Sequence, residues 1–244
     1  MIVFPMAGLS RRFTEAGYNI PKYMLPISGK TCFDYSVMGF LEGFKQETFL
    51  FVMRDVFDTP AFVETHARAM GIDKFEIVVL GAPTSGQGET VELGLKHMRR
   101  NDESLTVFNI DTFRAPMELT ARERASDGFL EVFIGPGDGW SFVEPKDDRT
   151  FSVKRTTEKD RISNLCCTGL YYFRSAEMFL HALESERRKP TSKQKETYIA
   201  PIYNQMIESG LDVRYGVVES AKVTFCGTPQ EYEAINKRES QKKG

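Results

Sequence analysis

The chain has 244 residues, 41% of them hydrophobic and 27% charged, and a formal net charge of −2. This length and apolar content predict one sizeable core in a single domain, and the near-neutral charge argues against a nucleic-acid partner. Four cysteines without C-x-x-C spacing, no targeting segment and no apolar run of about 18 residues indicate a cytoplasmic protein without a zinc site or a membrane span.

The first stretch of the chain combines a short strand with residues suited to binding an anion. Residues 1–4 are an apolar run of strand length that a proline ends. The small pair Ala7 and Gly8 allows backbone N–H groups to approach a ligand closely, and Arg12 and Lys22 add positive charge. This pattern predicts a phosphate-binding loop, although a tight strand-to-helix turn with solvated arginines has the same spacing.

Two better-known phosphate motifs are excluded. A Rossmann fingerprint requires G-x-G-x-x-G, and the next glycine after Gly8 is Gly17. Residues 28–31 look like the end of a Walker A loop, but Met24 stands where that motif requires glycine and Pro26 lies inside it.

The apolar spacing of the first half then alternates between helix and strand. It predicts helices at residues 33–44 and 59–70 and strands at residues 48–53, 75–80 and 105–110. We expect Thr59 to be an N-cap with Pro60 at the first helical position. The alternation predicts an α/β fold with a mainly parallel sheet.

Two polar segments follow strands of that sheet. Residues 81–90 form a glycine-rich turn that opens a helix running to about residue 100, and Asp111 follows the strand at residues 105–110. Ligands of such sheets bind beyond the carboxyl ends of the strands, so we expect these segments to face the crevice of the first loop. Asp111 could hold the Mg²⁺ of a nucleoside triphosphate. A helix cap at Thr84 or Ser85 and an Asx turn at Asp111 remain alternatives.

The second half has a different periodicity. From Gly128 onward we predict strands at residues 129–134, 140–143, 150–155, 168–173, 213–218 and 223–225, and helices at residues 175–186 and 197–209. A capping box from Thr228 to Glu231, with Pro229 at the first helical position, starts the last helix. The short strands and turn signals predict a mixed or antiparallel region.

Several of these motifs resemble those of the nucleotidyltransferases, the nucleotide-sugar pyrophosphorylase superfamily. The superfamily signature P-x-A-G-x-G-x-R followed by P-K stands here as Pro5-Met6-Ala7-Gly8-Leu9-Ser10-Arg11-Arg12 and Pro21-Lys22. Ser10 occupies the place of the second glycine, so either that position does not need a positive φ or the loop differs locally. Trp140-Ser-Phe-Val, Glu158-Lys159 and residues 162–173 extend the resemblance over most of the chain.

The resemblance implies a fold and a set of site residues. The fold is a Rossmann-like, GT-A-type α/β core with a mostly parallel sheet, a nucleotide-binding half at residues 1–127 and an acceptor-binding half at residues 128–244. The implied catalytic residues are Arg12, Lys22 and Lys159, and the implied Mg²⁺ ligand is Asp111. The implied nucleotide-binding residues are Met6, Ala7, Gly8, Leu9, Ser10, Arg11, Arg12, Lys22, Thr84, Ser85, Gly86, Gln87, Asn109, Ile110 and Asp111. The implied acceptor-binding residues are Trp140, Glu158, Lys159, Thr168, Gly169 and Tyr198.

The same resemblance implies the activity: transfer of a nucleoside monophosphate to a phosphorylated acceptor with release of pyrophosphate. Thr-Ser-Gly-Gln followed by Glu-Thr, at residues 84–90, is similar to bacterial capsule-biosynthesis members, including phosphoglutamine cytidylyltransferases. We therefore expect CMP transfer from CTP to a phosphoglutamine-like compound or a sugar phosphate. Because the three histidines lie outside the matched motifs, we expect no general base.

Two alternatives remain open at this point. One is a glucose-1-phosphate thymidylyl- or uridylyltransferase. The other is a catalytically silent nucleotide-binding regulatory module, because Phe225 stands where sugar-phosphate members often carry a second metal-binding aspartate. The sequence leaves the oligomeric state undetermined.

Overall fold

A large mixed sheet forms the centre of the molecule. The computed structural model describes residues 1–147, 149–189 and 196–241. Its strands are β1 (Ile2–Pro5), β2 (Pro26–Ile27), β3 (Lys30–Thr31), β4 (Phe49–Arg54), β5 (Phe75–Leu80), β6 (Leu105–Phe108), β7 (Thr112–Arg114), β8 (Gly128–Ile134), β9 (Ser141–Pro145), β10 (Val153–Glu158), β11 (Leu165–Phe173), β12 (Val213–Val217) and β13 (Val223–Phe225).

The helices flank this sheet. They are α1 (Arg11–Glu15), α2 (Cys32–Val37), α3 (Thr59–Met70), α4 (Gln87–Met98), α5 (Ala121–Arg124), α6 (Ala176–Arg187), α7 (Tyr203–Glu208) and α8 (Pro229–Gln241). Within the described ranges, none of these helices has the length and apolar character needed to cross a membrane.

The order of strands joins both halves of the chain in one sheet. Its main path runs β10-β9-β11-β6-β1-β4-β5, and β8 pairs with both β11 and β12. Strands β6, β1, β4 and β5 are parallel, whereas β11 is antiparallel to β6 and to β8. The first half is therefore the parallel sheet that the sequence predicts, and the second half is mixed, also as predicted.

Both faces of the parallel strands are covered, which explains their unbroken apolar sequences. In β4, Leu50 and Val52 belong to the same buried cluster as residues of α4, α6 and α7. Their neighbour Phe51 belongs to the opposite cluster, with residues of α2 and α3. The loops after these parallel strands open at one edge of this two-sided core.

Three predicted helices need correction. Helix α2 ends at Val37 and is followed by a 3₁₀ segment, Met38–Gly43, rather than running to residue 44. The N-cap of α3 is Asp58, in the left-handed region, and Thr59 is the first helical residue. The helix expected at residues 197–209 begins instead with a 3₁₀ turn, Ala200–Ile202, because the backbone of Thr197 bonds to the loop before α4.

Candidate active site

The loop after β1 is open where a ligand would approach. Met6 and Ala7 are buried, whereas Gly8 and Leu9 are exposed. A Cβ atom on Gly8 would meet no protein atom within 4 Å. Packing within the protein therefore does not require a glycine here, and space for a ligand against the backbone is the reason that fits the motif.

The position that departs from the family signature keeps the backbone conformation of a glycine. Ser10 has φ 50° and ψ 31°, in the left-handed region. Its Oγ accepts a hydrogen bond from the backbone N–H of Lys22 at 3.3 Å, which ties the loop to the Pro-Lys part of the motif. The loop therefore retains its positive φ. Arg11 and Arg12 are exposed and make no ion pair with any described residue.

Lys22 and Asp111 meet between this loop and the end of β6. The Lys22 Nζ donates to Asp111 Oδ2 in a close ion pair, with the two side chains 24% and 21% exposed. The backbone oxygen of Asp111 accepts from the N–H of Cys226 at 2.8 Å. A cation and a carboxylate of the predicted site are thus held at one point.

Gln87 and Asn109 form a second polar contact at the same edge of the sheet. Gln87 is the first residue of α4, and its Nε2 donates to Asn109 Oδ1 at 2.8 Å. This bond directs the Gln87 carbonyl oxygen away from Asn109, where it can accept from a ligand. Gly169 has φ 99°, and a Cβ there would lie 2.5 Å from Asn109 Nδ2, so the glycine makes room for Asn109. The neighbouring Ile110 is buried.

Neither hydroxyl of the loop before α4 caps that helix. Its N-cap is Gly86, without a side-chain hydrogen bond. Thr84 Oγ1 lies 2.7 Å from Thr90 Oγ1, and Ser85 Oγ lies 3.1 Å from Thr197 Oγ1. The helix-cap alternative at Thr84 or Ser85 is therefore wrong.

Lys159 sits at the end of β10 and is held at both its backbone and its side chain. It has φ 55°, and its N–H donates to the backbone oxygen of Trp140 at 2.9 Å. Its Nζ donates to the Tyr198 hydroxyl at 2.6 Å and lies 4.6 Å from the ring centre. The hydrogen bond to Tyr198 raises the pKa of Lys159. The Tyr198 hydroxyl in turn donates to Glu196.

The other predicted acceptor residues divide into two groups. Glu158 accepts from Ser141 Oγ beside Lys159, and burial raises the pKa of Glu158 against the opposing effects of Ser141 and Lys159. Thr168 is buried, and its hydroxyl donates to Glu131 Oε1 at 3.1 Å. The structure thus groups Trp140, Glu158, Lys159 and Tyr198, while the Thr168 side chain is engaged with Glu131.

A solved structure resembles the chain over almost its whole length. It is a nucleoside-diphosphate-sugar pyrophosphorylase from Vibrio cholerae RC9, with 44% sequence identity and a TM-score of 0.94, and the alignment covers 97% of this chain and 100% of that chain. The chain belongs to the nucleoside-diphosphate-sugar pyrophosphorylases. This pyrophosphorylase is therefore a nucleotidyltransferase, as the sequence motifs predict, and the silent regulatory module is set aside.

More distant structures share the fold. A glucose-1-phosphate thymidylyltransferase from Bacillus anthracis in complex with a sucrose is 16% identical, with a TM-score of 0.73 and coverage of 98% of this chain and 94% of that one. A UDP-glucose pyrophosphorylase complexed with UDP-glucose is 18% identical, with a TM-score of 0.75 and coverage of 99% and 98%. The predicted Rossmann-like fold is confirmed. No family model matches the pyrophosphorylase, and neither does any curated protein sequence.

The described residues of the pyrophosphorylase offer a Mg²⁺ ion carboxylate oxygens but no complete cage. The described residues contain no group of three His, Cys, Asp or Glu side chains suited to a metal. A Cβ on Gly227 would lie 3.3 Å from Asp111 Oδ2 and 3.7 Å from Glu231 Oε2, so this glycine leaves space between the two carboxylates. Glu231 accepts from the N–H and the hydroxyl of Thr228 in the capping box of α8. Mg²⁺ commonly takes one or two protein carboxylates and completes its shell with water and substrate phosphate. Asp111 therefore fits a Mg²⁺ that binds together with a nucleotide.

Phe225 fills the place where an aspartate was expected from the resemblance. It pairs with Thr112, the residue after Asp111, across β13 and β7. Its ring centre lies 4.5 Å from that of Trp140 and 4.9 Å from that of Phe133. In the pyrophosphorylase this position thus belongs to an aromatic cluster.

Sequence reasoning missed Thr197 and Glu196. Thr197 pairs with the loop before α4 through its backbone, and Glu196 accepts from Tyr198. The available signal was indirect: two glycines, Gly86 at the N-cap of α4 and Gly88 in its first turn, which Thr197 contacts.

Proposed function

We propose that this enzyme transfers CMP from CTP to a sugar phosphate and releases pyrophosphate. The observation that carries the proposal is the contact between Lys22 and Asp111, which joins the glycine-containing loop to the carboxylate at the end of β6. The sugar phosphate is supported by the 44% identical relative, whose name is that of a nucleoside-diphosphate-sugar pyrophosphorylase.

The residues of the chain divide the work of bringing two anions together. The amides of residues 6–10, together with Arg12, receive the triphosphate, and Lys22 exchanges its contact with Asp111 for one with phosphate. A bound Mg²⁺ would supply charge neutralisation at the phosphate oxygens from its place on Asp111. Lys159 receives the acceptor phosphate. An oxygen of the acceptor phosphate attacks the α-phosphorus of the triphosphate as the bond from that phosphorus to pyrophosphate breaks. An ionised phosphate needs no general base.

The choice of CTP rests on the loop before α4 and on Gln87, the first residue of that helix. The Gln87 carbonyl oxygen is directed away from Asn109 and can accept from an amino group such as that of cytosine. The Thr-Ser-Gly-Gln sequence of this loop supports the same choice through its similarity to capsule-biosynthesis cytidylyltransferases. We place the reaction in the cytoplasm, in the supply of precursors for capsule or surface polysaccharide.

A panel assay tests this proposal. CTP, UTP, dTTP, ATP and GTP would each be combined with Mg²⁺ and with glucose 1-phosphate, phosphoglutamine or unphosphorylated glucose, and pyrophosphate release would be measured. We expect turnover with CTP and a sugar phosphate. Efficient turnover of unphosphorylated glucose would contradict the role of Lys159 in binding the acceptor phosphate. Turnover with UTP or dTTP but not with CTP would favour the uridylyl- or thymidylyltransferase alternative.

The same assay tests the metal ligand. Asp111→Asn should lower kcat by about 10²–10³ because it removes the charge that holds the metal on the phosphates. Asp73→Asn, at an exposed ion pair with Lys45, is the matched control and should leave kcat unchanged. A well-folded Asp111→Asn protein with normal turnover would contradict the assignment of Asp111 as the metal ligand.

A further inference from the structure

A segment of three residues touches both halves of the site. We call residues 196–198 the strap. The Thr197 N–H donates to the backbone oxygen of Ser85 at 2.8 Å, and the Thr197 oxygen accepts from the N–H of Gly88 at 2.8 Å. The two hydroxyl oxygens of Ser85 and Thr197 lie 3.1 Å apart. The loop before α4, which we assign to the nucleotide base, is thereby bonded to the acceptor half.

The strap explains two glycines at the start of α4, Gly86 at its N-cap and Gly88 in its first turn. Gly86 has φ 146°, and a Cβ there would lie 2.7 Å from both the N and the O of Thr197. A Cβ on Gly88 would lie 2.7 Å from Thr197 Cγ2. Any larger residue at Gly86 would collide with backbone, which cannot rotate away as the end of a side chain can. The close approach of Thr197 therefore requires glycine at this point.

The other end of the strap holds the acceptor lysine. The residue after Thr197 is Tyr198, whose hydroxyl receives the hydrogen bond from Lys159 Nζ and donates to Glu196. The loop for the base and the lysine for the acceptor phosphate are thus joined by two adjacent residues.

We propose that the strap couples the two substrate sites, with Thr197 positioning the loop before α4 and Tyr198 positioning Lys159. This inference rests on the proposed function, which assigns the nucleotide and the acceptor to these two places. A nucleotide bound at the loop restrains Thr197, and this restraint passes to Tyr198 and steadies the ammonium group of Lys159. Because binding free energies are linked, an acceptor held by Lys159 tightens the nucleotide by the same factor.

The link between Tyr198 and Lys159 can be tested without any substrate. Acetic anhydride acylates only the neutral amine, and the hydrogen bond from Lys159 to Tyr198 favours the charged form. The rate of Lys159 acetylation would be measured by peptide mass spectrometry, with the exposed Lys146 as internal reference. Tyr198→Phe should speed Lys159 labelling about threefold or more. Tyr18→Phe, which removes another tyrosine hydroxyl bonded to a glutamate, should not.

The coupling itself is tested by adding nucleotide. A saturating Mg²⁺ complex of whichever of the five triphosphates binds should slow Lys159 labelling in the wild type, and Tyr198→Phe should abolish this effect while the nucleotide Kd is unchanged. Gly86→Ala, which displaces Thr197, should speed Lys159 labelling from the other end of the strap. Circular dichroism would confirm the fold of each variant, and Glu196→Gln would replace Tyr198→Phe if that variant does not fold.

Three outcomes would overturn the proposals, each in a different way. Protection of Lys159 that persists in Tyr198→Phe would mean that the nucleotide covers the lysine directly. Nucleotide binding to the wild type without any change in Lys159 labelling would remove the coupling and leave the proposed function intact. Failure of every triphosphate to bind would contradict both the proposed function and the coupling.

Discussion

Lys22 and Asp111 neutralise each other in the free protein. Their ion pair is three-quarters buried on both sides, and each partner is held from its backbone, Lys22 by Ser10 and Asp111 by Cys226. A carboxylate that is already balanced by an ammonium group attracts a divalent metal ion weakly, because the ammonium group repels the metal ion. We therefore expect the metal to bind tightly only when phosphate draws Lys22 away.

Replacing Lys22 should open this carboxylate to metal. We expect Lys22→Met to tighten Mn²⁺ binding to the nucleotide-free protein on the order of tenfold, equivalent to about 1.4 kcal/mol. Electron paramagnetic resonance of unbound Mn²⁺ would measure the Kd. Lys45→Met removes the same charge from the exposed pair with Asp73 and should have no effect. An unchanged or weaker Mn²⁺ affinity in Lys22→Met would show that the pair does not compete with metal.

The residues predicted from sequence and those missed differ in the kind of group that acts. Lys22 could be singled out because it stands in the Pro-Lys part of the motif, and Asp111 because its carboxylate follows a strand-like run. Thr197 acts through its N–H and C=O, which every residue except proline provides, so its side chain carries no signal. Ser10 was ambiguous because φ 50° is accessible to serine at a cost, and only the structure shows that it is adopted.

At the scale of elements, an ion pair between β7 and β8 supports the strand end that carries Asp111. Arg114 contacts both carboxylate oxygens of Glu131, at 3.0 and 3.1 Å, and the side chains are only 12% and 8% exposed. Glu131 also accepts from Thr168, whose backbone oxygen accepts from Thr112 Oγ1, next to Asp111. These bonds fix the two strands relative to each other.

Breaking this pair should destabilise the protein strongly. Glu131→Gln leaves the Arg114 charge buried without a balancing carboxylate and should lower the free energy of unfolding by about 3 kcal/mol. Urea denaturation would measure it. Glu64→Gln, in an exposed helical pair with Arg68, should cost less than about 0.5 kcal/mol. Similar small losses in both variants would mean that Arg114 finds other partners.

Element boundaries were predictable only where the apolar spacing decides them. Strand β5 and helix α3 have the expected ends at residues 75–80 and 59–70. The prediction of one helix at residues 33–44 was wrong. The apolar spacing continues through the 3₁₀ segment that follows α2, although φ and ψ are not helical at Phe40. At residues 197–199 the partner of the backbone lies far away in sequence, so no local pattern could exclude a helix.

On the scale of the molecule, β11 joins the two halves. One edge of this strand pairs with β6 of the first half and the other with β8 of the second. If either half unfolded alone, β11 would keep a row of backbone N–H and C=O groups without strand partners. The predicted single domain therefore corresponds to a sheet whose halves we expect to unfold together.

Cooperative unfolding can be measured with the single tryptophan of the chain, Trp140, which lies in the second half. Urea transitions followed by its fluorescence and by far-ultraviolet circular dichroism should coincide. Mg²⁺-nucleotide at about 100 times its Kd should raise the free energy of unfolding reported by Trp140 by about 2.7 kcal/mol, although the proposed nucleotide-binding residues lie in the first half. Two separate transitions, or a Trp140 midpoint that nucleotide does not move, would show independent halves.

The hairpin of β9 and β10 has an evolutionary consequence. It ends the sheet, and β9 reaches β11 through one residue pair, Cys166 and Phe142. Insertions and deletions in such an edge hairpin leave the parallel strands and the loops after them unchanged. The proposed acceptor residues Trp140, Glu158 and Lys159 lie at the end of this hairpin where β9 begins and β10 ends. A lineage with this fold can thus acquire a new acceptor by altering that end of the hairpin while inheriting its nucleotide loop intact. We expect homologues to diverge most in length at this hairpin, and hairpin grafts between them to transfer acceptor preference.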